Sequence, residues 1–470
     1  MKILLIDPYI SSKNEYGSLT KLSNIIPSLG LGYVAASLKK HGFEVKILDC
    51  SVAGITTKEL VKIVKKENPA AVGFTATVMS INSAISSLKA IKDSLPKIYS
   101  MIGGPQITAL SNQTMESSGF DVGVIGEGEI TTVELLSRIR DGNTNIAEVK
   151  GIIYRKESKF VFSGHREHLQ ELSALPRPSY ELFPPLSSYS YSPISTLKYP
   201  CAHIISSRGC PFTCRFCDKT VTGSVFRARR SYEVIEEIAE LVKNYKIKEI
   251  KFFDDNFTYD QARVYEICDL LDKSNLKISW SCVAHAARVN KDLLIRMRRS
   301  GCWQVVFGME SGNQSILDSM RKPLTLDQSR KAAKISRQAG INVRATFILG
   351  FPGETQSTLN DTLHFAKELK LDTVSFYIFS PYPGSEIFKE LKDNGEIIHS
   401  DYQYYQLIVD PRKSKLPFVP KGIAKDDLLR HLQKSYKDFY LRPGYLFSQI
   451  GKIKSFDYAK RYWKCCQELL

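Results

Sequence analysis

The chain has 470 residues, room for two or three domains, and its 43% hydrophobic and 24% charged residues give it a globular rather than disordered composition. Its net charge of +16 raises encounter with nucleic acid, anionic membrane or anionic substrate without choosing among them. No uninterrupted apolar stretch of about 18 residues argues for a bilayer span, and seven of the ten cysteines (Cys50, Cys201, Cys268, Cys282, Cys302, Cys465, Cys466) lack the pattern of a disulfide framework.

Met1 to Asp7 reads as a strand where a signal peptide would need a longer apolar region, so a cytoplasmic address is expected. Residues 1–145 then alternate short apolar strands (Ile3 to Asp7, Val45 to Leu48, Ala71 to Phe74, Tyr99 to Gly103, Val122 to Ile125) with amphipathic helices. Continuous apolar strands separated by helices imply a doubly wound parallel sheet covered on both faces, whose ligands sit beyond the carboxyl ends of the strands. The ligand loops are therefore Asp7-Pro-Tyr, Pro27 to Tyr33 with Leu29 and Gly30, Thr75-Ala-Thr77, Gly103-Gly104-Pro105 and Gly126-Glu127-Gly128-Glu129. Their small residues let a large cofactor approach the backbone. His41, the one histidine of this block, falls in a helix-ending Lys-Lys-His-Gly and reads as a solvated helix terminus.

Residues 146–199 hold a hairpin pattern, Gly151 to Arg155 with Lys159 to Phe162, and then a run containing Pro176, Pro178, Pro184, Pro185 and Pro193. Such a run favours extended chain and reads as an interdomain linker along the surface. Beyond it, strand-like Ala202 to Ser206 delivers Cys210, Cys214 and Cys217 at a Cys-x3-Cys-x2-Cys spacing. A cuboidal iron-sulfur cluster is normally held by four thiolates and structural zinc by a closed tetrahedral shell, so three thiolates leave one metal corner for a small molecule. A zinc knuckle completed by a distant Cys or His is the competing reading.

The cysteine loop, with aromatic Phe216 before its last cysteine, resembles that of the radical S-adenosylmethionine (radical SAM) enzymes. The leading block, with Pro-x-Leu-Gly-Leu-x-Tyr, Gly-Gly-Pro and Gly-Glu-Gly-Glu in that order, resembles the cobalamin-binding domain of one large subfamily. A doubly wound domain with no cofactor, or with a nucleotide, remains the alternative there. The resemblance implies a 4Fe-4S cluster on Cys210, Cys214 and Cys217, and S-adenosylmethionine on its open iron, cleaved by one electron to a 5'-deoxyadenosyl radical. It implies cobalamin over Pro27, Leu29, Gly30, Thr75, Thr77, Gly103, Gly104, Gly126, Glu127 and Gly128. The histidine-bearing Asp-x-His-x-x-Gly motif of other corrinoid proteins is absent, so cobalt's lower face is expected to lack a histidine.

From about 200 to 390 strands and helices alternate in the order of a partial (β/α)6 barrel. Strand-like Glu249 to Phe253 ends in Asp254-Asp255-Asn-Phe, and the resemblance places the acceptor for the cofactor's ammonium there; a helix cap is the other reading of the two aspartates. It also makes Glu310 and Ser311 the ribose contact, with Phe216 and Gly350 beside the cofactor. Arg208, Arg227, Arg229 and Arg230 read either as partners of cofactor carboxylate or phosphate, or as ordinary ion-pair residues. Residues 391–470 form a small, mostly helical segment whose aromatic and basic runs, Tyr402 to Tyr405, Phe439 to Tyr445 and Lys460 to Cys466, suit a bilayer interface or a lid, or else a packed tail.

No residue is assigned a catalytic proton transfer. The expected activity is methylation of an unactivated carbon, with methylcobalamin as donor and a small-molecule or lipid as substrate. The electron donor is of the flavodoxin or ferredoxin type, with peripheral contact at the inner membrane surface if the tail docks there. The alternatives are an oxidative cyclase of the protoporphyrin-ester type and, outside enzymology, a cobalamin or iron-sulfur sensor or chaperone. Nucleic acid is disfavoured: tRNA methylthiotransferases carry three more cluster cysteines in their leading domain, where this chain has only Cys50.

Overall fold

The structure, a computed structural model, describes residues 1–10, 25–143, 145–192, 195–398, 405 and 415–450. Pro193, Tyr402 to Tyr404 and Lys460 to Cys466 lie outside the described residues. The first sheet comprises β1 (Lys2–Asp7), β2 (Glu44–Asp49), β3 (Ala71–Thr75), β4 (Tyr99–Gly103), β5 (Val122–Val124), β6 (Ile152–Lys156) and β7 (Lys159–Phe162), in the order β2-β1-β3-β4-β5-β6-β7. The first five run parallel. Ile3, Leu4, Leu5 and Ile6 of β1 are all buried, because helices cover both faces and alternation is lost. Strand order reverses at β1/β3, the crevice at which such sheets hold ligands.

The hairpin grouped with the linker in the sequence is continuous with this sheet: β5 pairs antiparallel with β6, and β6 with β7. The proline-rich run after it does not ride on the surface. Tyr180, Phe183, Leu186, Tyr189 and Tyr191 are buried. The Tyr189 hydroxyl donates to Asp49 Oδ2 at 2.8 Å at the end of β2, and the Tyr191 hydroxyl meets His203 Nδ1 at 3.0 Å. Prolines lower the entropy lost on ordering the run, and its tyrosines pin one domain to the other.

The second sheet starts with β8 (Cys201–Ile204). A two-strand ribbon follows, β9 (Ser207–Arg208) against β10 (Arg227–Ala228), and then β11 (Glu249–Phe252), β12 (Ser279–Ala284), β13 (Cys302–Glu310), β14 (Asn342–Leu349) and β15 (Thr373–Ile378). Its order, β15-β14-β13-β12-β11-β8, is sequential and parallel throughout, the arrangement of a six-stranded open barrel. Side-chain caps start its helices where the sequence changes period: Asn290 on Leu293 N, Thr325 with Gln328 as a capping box, and Ser385 on Phe388 N.

The open edge at β15 is closed by the helix Lys425–Tyr440. Tyr436 Oη accepts from Phe376 N at 3.1 Å and donates to Phe376 O at 2.9 Å, and Tyr440 Oη does the same for Val374 at 3.0 and 2.7 Å. Tyr445 donates to Asp372 O. Phe439, Tyr440 and Tyr445 are thus buried against the barrel, the packed-tail reading rather than a membrane face. No helix among the described residues is long and apolar enough to cross a membrane.

Candidate functional site

Strand β8 leads into a loop that is tied down residue by residue. Ser206 N, Ser206 Oγ and Ser207 Oγ donate to Asp254 at 2.6 to 2.7 Å, and Gly209 N donates to Asp255 Oδ2 at 2.7 Å. Gly209 has φ +83°, and a Cβ there would stand 2.1 Å from the Val225 carbonyl oxygen, so only glycine turns the chain toward Cys210. Cys210 N donates to Gly223 O and Cys217 N to Cys214 O. Arg215 clamps the far side onto Glu386 and the Ser319 carbonyl.

The three thiols feel one another. Desolvation by the loop, then the Cys214 and Cys210 charges, push the Cys217 thiol up to about 12, and desolvation likewise raises Cys214. Such thiols ionise together only around a cation, and metal binding deprotonates them. Among the described residues no three His, Cys, Asp or Glu side chains converge on a single-ion position. A cuboidal cluster would take one thiolate on each of three iron corners and leave the fourth open.

A cleft of about 390 Å³ separates this loop from the strand ends of the first sheet. Gly30, Thr75, Thr77, Gly103, Gly104, Gly126, Glu127 and Gly128 line one wall, and Ser207, Arg208, Thr222 and Asp255 the other. Gly104 has φ +100° and its Cβ would meet the Ala76 carbonyl oxygen at 2.8 Å, whereas a Cβ at Gly30 or Gly126 would meet nothing within 4 Å. The wall is therefore bare at Gly30 and Gly126, where a flat ligand can approach the backbone, while Gly104 is needed for close packing against the loop after β3. Pro27 and Leu29 do not line it; Leu29 is buried in the core under its helix. His41 caps the helix Leu29–Lys40, with Nδ1 2.8 Å from Ser37 O, and among the described residues no histidine lines the cleft.

Glu127 presents no free carboxylate to a cofactor. It takes Arg208 Nη1 at 2.9 Å and Arg227 at 2.8 and 3.0 Å, while Arg208 Nη2 reaches Glu129 at 2.7 Å and its guanidinium lies over the Tyr33 ring. Burial opposes the Glu127 charge, but Arg227 and Arg208 outweigh it and hold the carboxyl below its usual range. Arg229 is likewise paired inside, with Glu237, and Arg230 is exposed beside Glu171. Arg208 and Arg227 join the domains through Glu127 and Glu129 instead of waiting for phosphate.

Asp254 is also occupied. Both oxygens serve the serines of the cysteine loop and it is 3% exposed, so it organises the loop and offers no acceptor to an ammonium. Asp255 keeps an edge on the cleft. Glu310 has φ +61° at a register shift in β13, a conformation rare outside glycine, with Lys322 Nζ 3.2 Å from Oε1. It faces a second cavity of about 200 Å³, together with Phe216, Ile348 and Tyr377. Ser311 is fully buried and bonds Thr362, and Gly350 donates to Glu354 and packs on Leu428; both build the wall rather than touch the cavity. Lys322 and Tyr377 escaped the sequence reading because their only signal is placement across strands.

Two family profiles match the chain: the B12 binding domain over residues 18–136 and the Radical SAM superfamily over residues 204–366. An uncharacterized methyltransferase of Pyrococcus horikoshii is 34% identical over 97% of this chain and 96% of its own length. The anaerobic magnesium-protoporphyrin IX monomethyl ester cyclase of Cereibacter sphaeroides is 26% identical over 94% of this chain and 71% of its own. The solved structure of the cobalamin-dependent S-adenosylmethionine radical enzyme OxsB with aqua-cobalamin and S-adenosylmethionine bound superposes with a TM-score of 0.76. It covers 98% of this chain and 70% of that one at 18% identity, a likeness of fold.

Proposed function

Because the chain belongs to the cobalamin-dependent radical SAM enzymes, we propose that it methylates an unactivated carbon of a small molecule. The observation that carries this reading is the shared cleft, where strand-end loops of both domains face each other across about 390 Å³. When bound, the 4Fe-4S cluster and S-adenosylmethionine supply a 5'-deoxyadenosyl radical, and the corrinoid supplies the methyl group.

The protein's part is placement. Cys210, Cys214 and Cys217 hold the cluster as thiolates, on a loop fixed by Asp254, Asp255 and Gly209. Phe216 and Glu310 bound the cofactor's pocket, the Glu310 carboxylate accepting from ribose hydroxyls beside Lys322. The bare glycines 30 and 126 would let the corrin lie against backbone. The enzyme needs an external reductant, for which a flavodoxin or ferredoxin in the cytoplasm is our reading.

A second reading, ring formation without net methyl transfer, is favoured by the cyclase relative that matches 94% of the chain. The deciding experiment incubates the reconstituted protein anaerobically with S-adenosylmethionine, reductant, methylcobalamin and a cell extract, followed by mass spectrometry. A product heavier by one methylene unit, formed with 5'-deoxyadenosine and S-adenosylhomocysteine, is expected. A product that has lost hydrogen and gained no carbon overturns methyl transfer.

A further inference from the structure

The barrel interior carries a guanidinium, that of Arg344, with no carboxylate within 4.0 Å among the described residues. On β14, Val343, Ala345, Phe347 and Leu349 are buried in the core, while Asn342, Arg344, Thr346 and Ile348 are partly exposed. Since β14 is flanked by β13 and β15, that exposure opens into the barrel and not onto a sheet edge. Ile348 and its register partner Tyr377 line the cavity beside Phe216 and Glu310. Arg344 stands on the same face four residues deeper, no more than about 13 Å along the strand.

Arg344 Nη2 donates to Ser375 Oγ at 2.9 Å. Its Nε is buried with no acceptor, and among the described residues no carboxylate lies within 4.0 Å of its guanidinium. Arg208, Arg227 and Arg229 differ, each with a carboxylate at hydrogen-bond distance, and Arg263, which has none, gives its guanidinium to the Arg229 and Ser206 carbonyls. The nearby Lys251 is compensated too, by Glu249 at 3.7 Å and the Ser195 carbonyl. A guanidinium has five donors in a rigid fork matched to an oxyanion, and burying it unpaired is costly.

We infer that the barrel floor binds an oxyanion of the substrate, a carboxylate or a phosphate-type group, on Arg344 oriented by Ser375. Phe216, Ile348 and Tyr377 above it then face the apolar part between that anion and the reacting carbon. This substrate class rests on the barrel being the reaction chamber of the proposed methyltransferase.

The test titrates phenylphosphonate, benzoate and uncharged benzyl alcohol into the anaerobically reconstituted full chain, as wild type, Arg344→Lys and Arg344→Gln, with ligand-observed NMR as readout. Both anions are expected to bind wild type, to weaken a few-fold in Arg344→Lys and about tenfold or more in Arg344→Gln, with benzyl alcohol indifferent to either change. Absence of anion binding to wild type, or equal binding by Arg344→Gln, overturns the site; so does a parallel loss of benzyl alcohol, which signals collapse of the chamber. S-adenosylhomocysteine affinity separates the two sources of a carboxylate. It is expected to be unchanged in Arg344→Gln, and a matching loss would assign Arg344 to the cofactor instead. Because the readout is binding, failure of the anion site leaves methyl transfer to be judged by product mass, and failure of methyl transfer leaves the anion affinities intact.

Discussion

At the level of single residues, two positions turn geometry into measurable outcomes. Gly209 is held at φ +83° with the Val225 carbonyl 2.1 Å from where a Cβ would be. Gly209→Ala has to move the backbone just before Cys210, and since the Cβ is fixed by its own backbone and strikes a main-chain oxygen, no rotamer relieves it. The variant is expected to fold with the rest of the barrel intact but to reconstitute little cluster, seen as lost visible iron-sulfur absorbance against an unchanged far-ultraviolet circular dichroism spectrum. Glu354, at the end of the β14 loop, is the second. Burial, opposed by hydrogen bonds from Gly350 N and Phe351 N, pushes its carboxyl from 4.5 up to about 7, and its Oε1 has no partner. Between those values the folded chain keeps a proton that the unfolded chain has lost, so stability falls as pH rises through that window and levels off above it. The shift is worth at most ~3 kcal/mol. Denaturant midpoints from pH 5 to 8 should therefore decline more steeply for wild type than for Glu354→Gln, and parallel profiles would remove Glu354 as the cause.

At the level of elements, β15 shows how an edge strand is closed without another strand. Tyr436 and Tyr440, one helical turn apart, each present a hydroxyl that both accepts from and donates to one residue of β15, Phe376 and Val374. The helix spacing of four residues matches the strand spacing of two closely enough for both bridges to form at once. Removing a hydroxyl leaves a buried N–H and C=O unsatisfied, at about 1–3 kcal/mol each. Tyr436→Phe and Tyr440→Phe should each lower the unfolding free energy by that order, and hydrogen exchange should quicken at Phe376 and Val374 in the respective variants while β13 stays protected. Here the sequence was least legible. Apolar runs located β1, β3 and β4 to within a residue or so, because burial on both faces writes itself into composition. A helix carrying tyrosines at i and i+4 reads only as amphipathic, since its partner is a strand some 60 residues away. The hairpin's union with β5, and the burial of the linker tyrosines, are likewise pairings between distant segments. In the site itself, local spacing pointed to the three cysteines and to the glycines of the cleft wall, whereas the partners that engage Asp254, Glu127 and Gly350, namely Ser206, Arg208 and Leu428, stand tens of residues off and leave no local signal.

At the level of the whole molecule, the same glycine-rich loop that borders the cofactor cleft also locks the two domains together. Glu127 and Glu129 begin a helix of the first domain, and Arg208, two residues ahead of Cys210, belongs to the second. Their pairs are almost entirely buried, with side-chain exposures of 9% for Arg208, 10% for Glu127 and 6% for Glu129. A buried pair adds little net stability over an apolar substitute, yet breaking one partner strands the others at about 3 to 5 kcal/mol. Arg208→Met leaves Glu129 without its cation and Glu127 with Arg227 and His168, so the loss should concentrate at the domain boundary rather than in either core. Calorimetry is expected to show one cooperative transition in wild type resolving into two in the variant, the first accompanied by release of bound cobalamin measured by its visible spectrum. Arg296→Met serves as the comparison: its partners Asp269 and Asp272 lie within the second domain, so it should lower the transition temperature without dividing the transition or releasing the corrinoid first. If both variants behave alike, Arg208 is a stabilising residue only, and the distance between cleft wall and cysteine loop is held by the linker tyrosines instead.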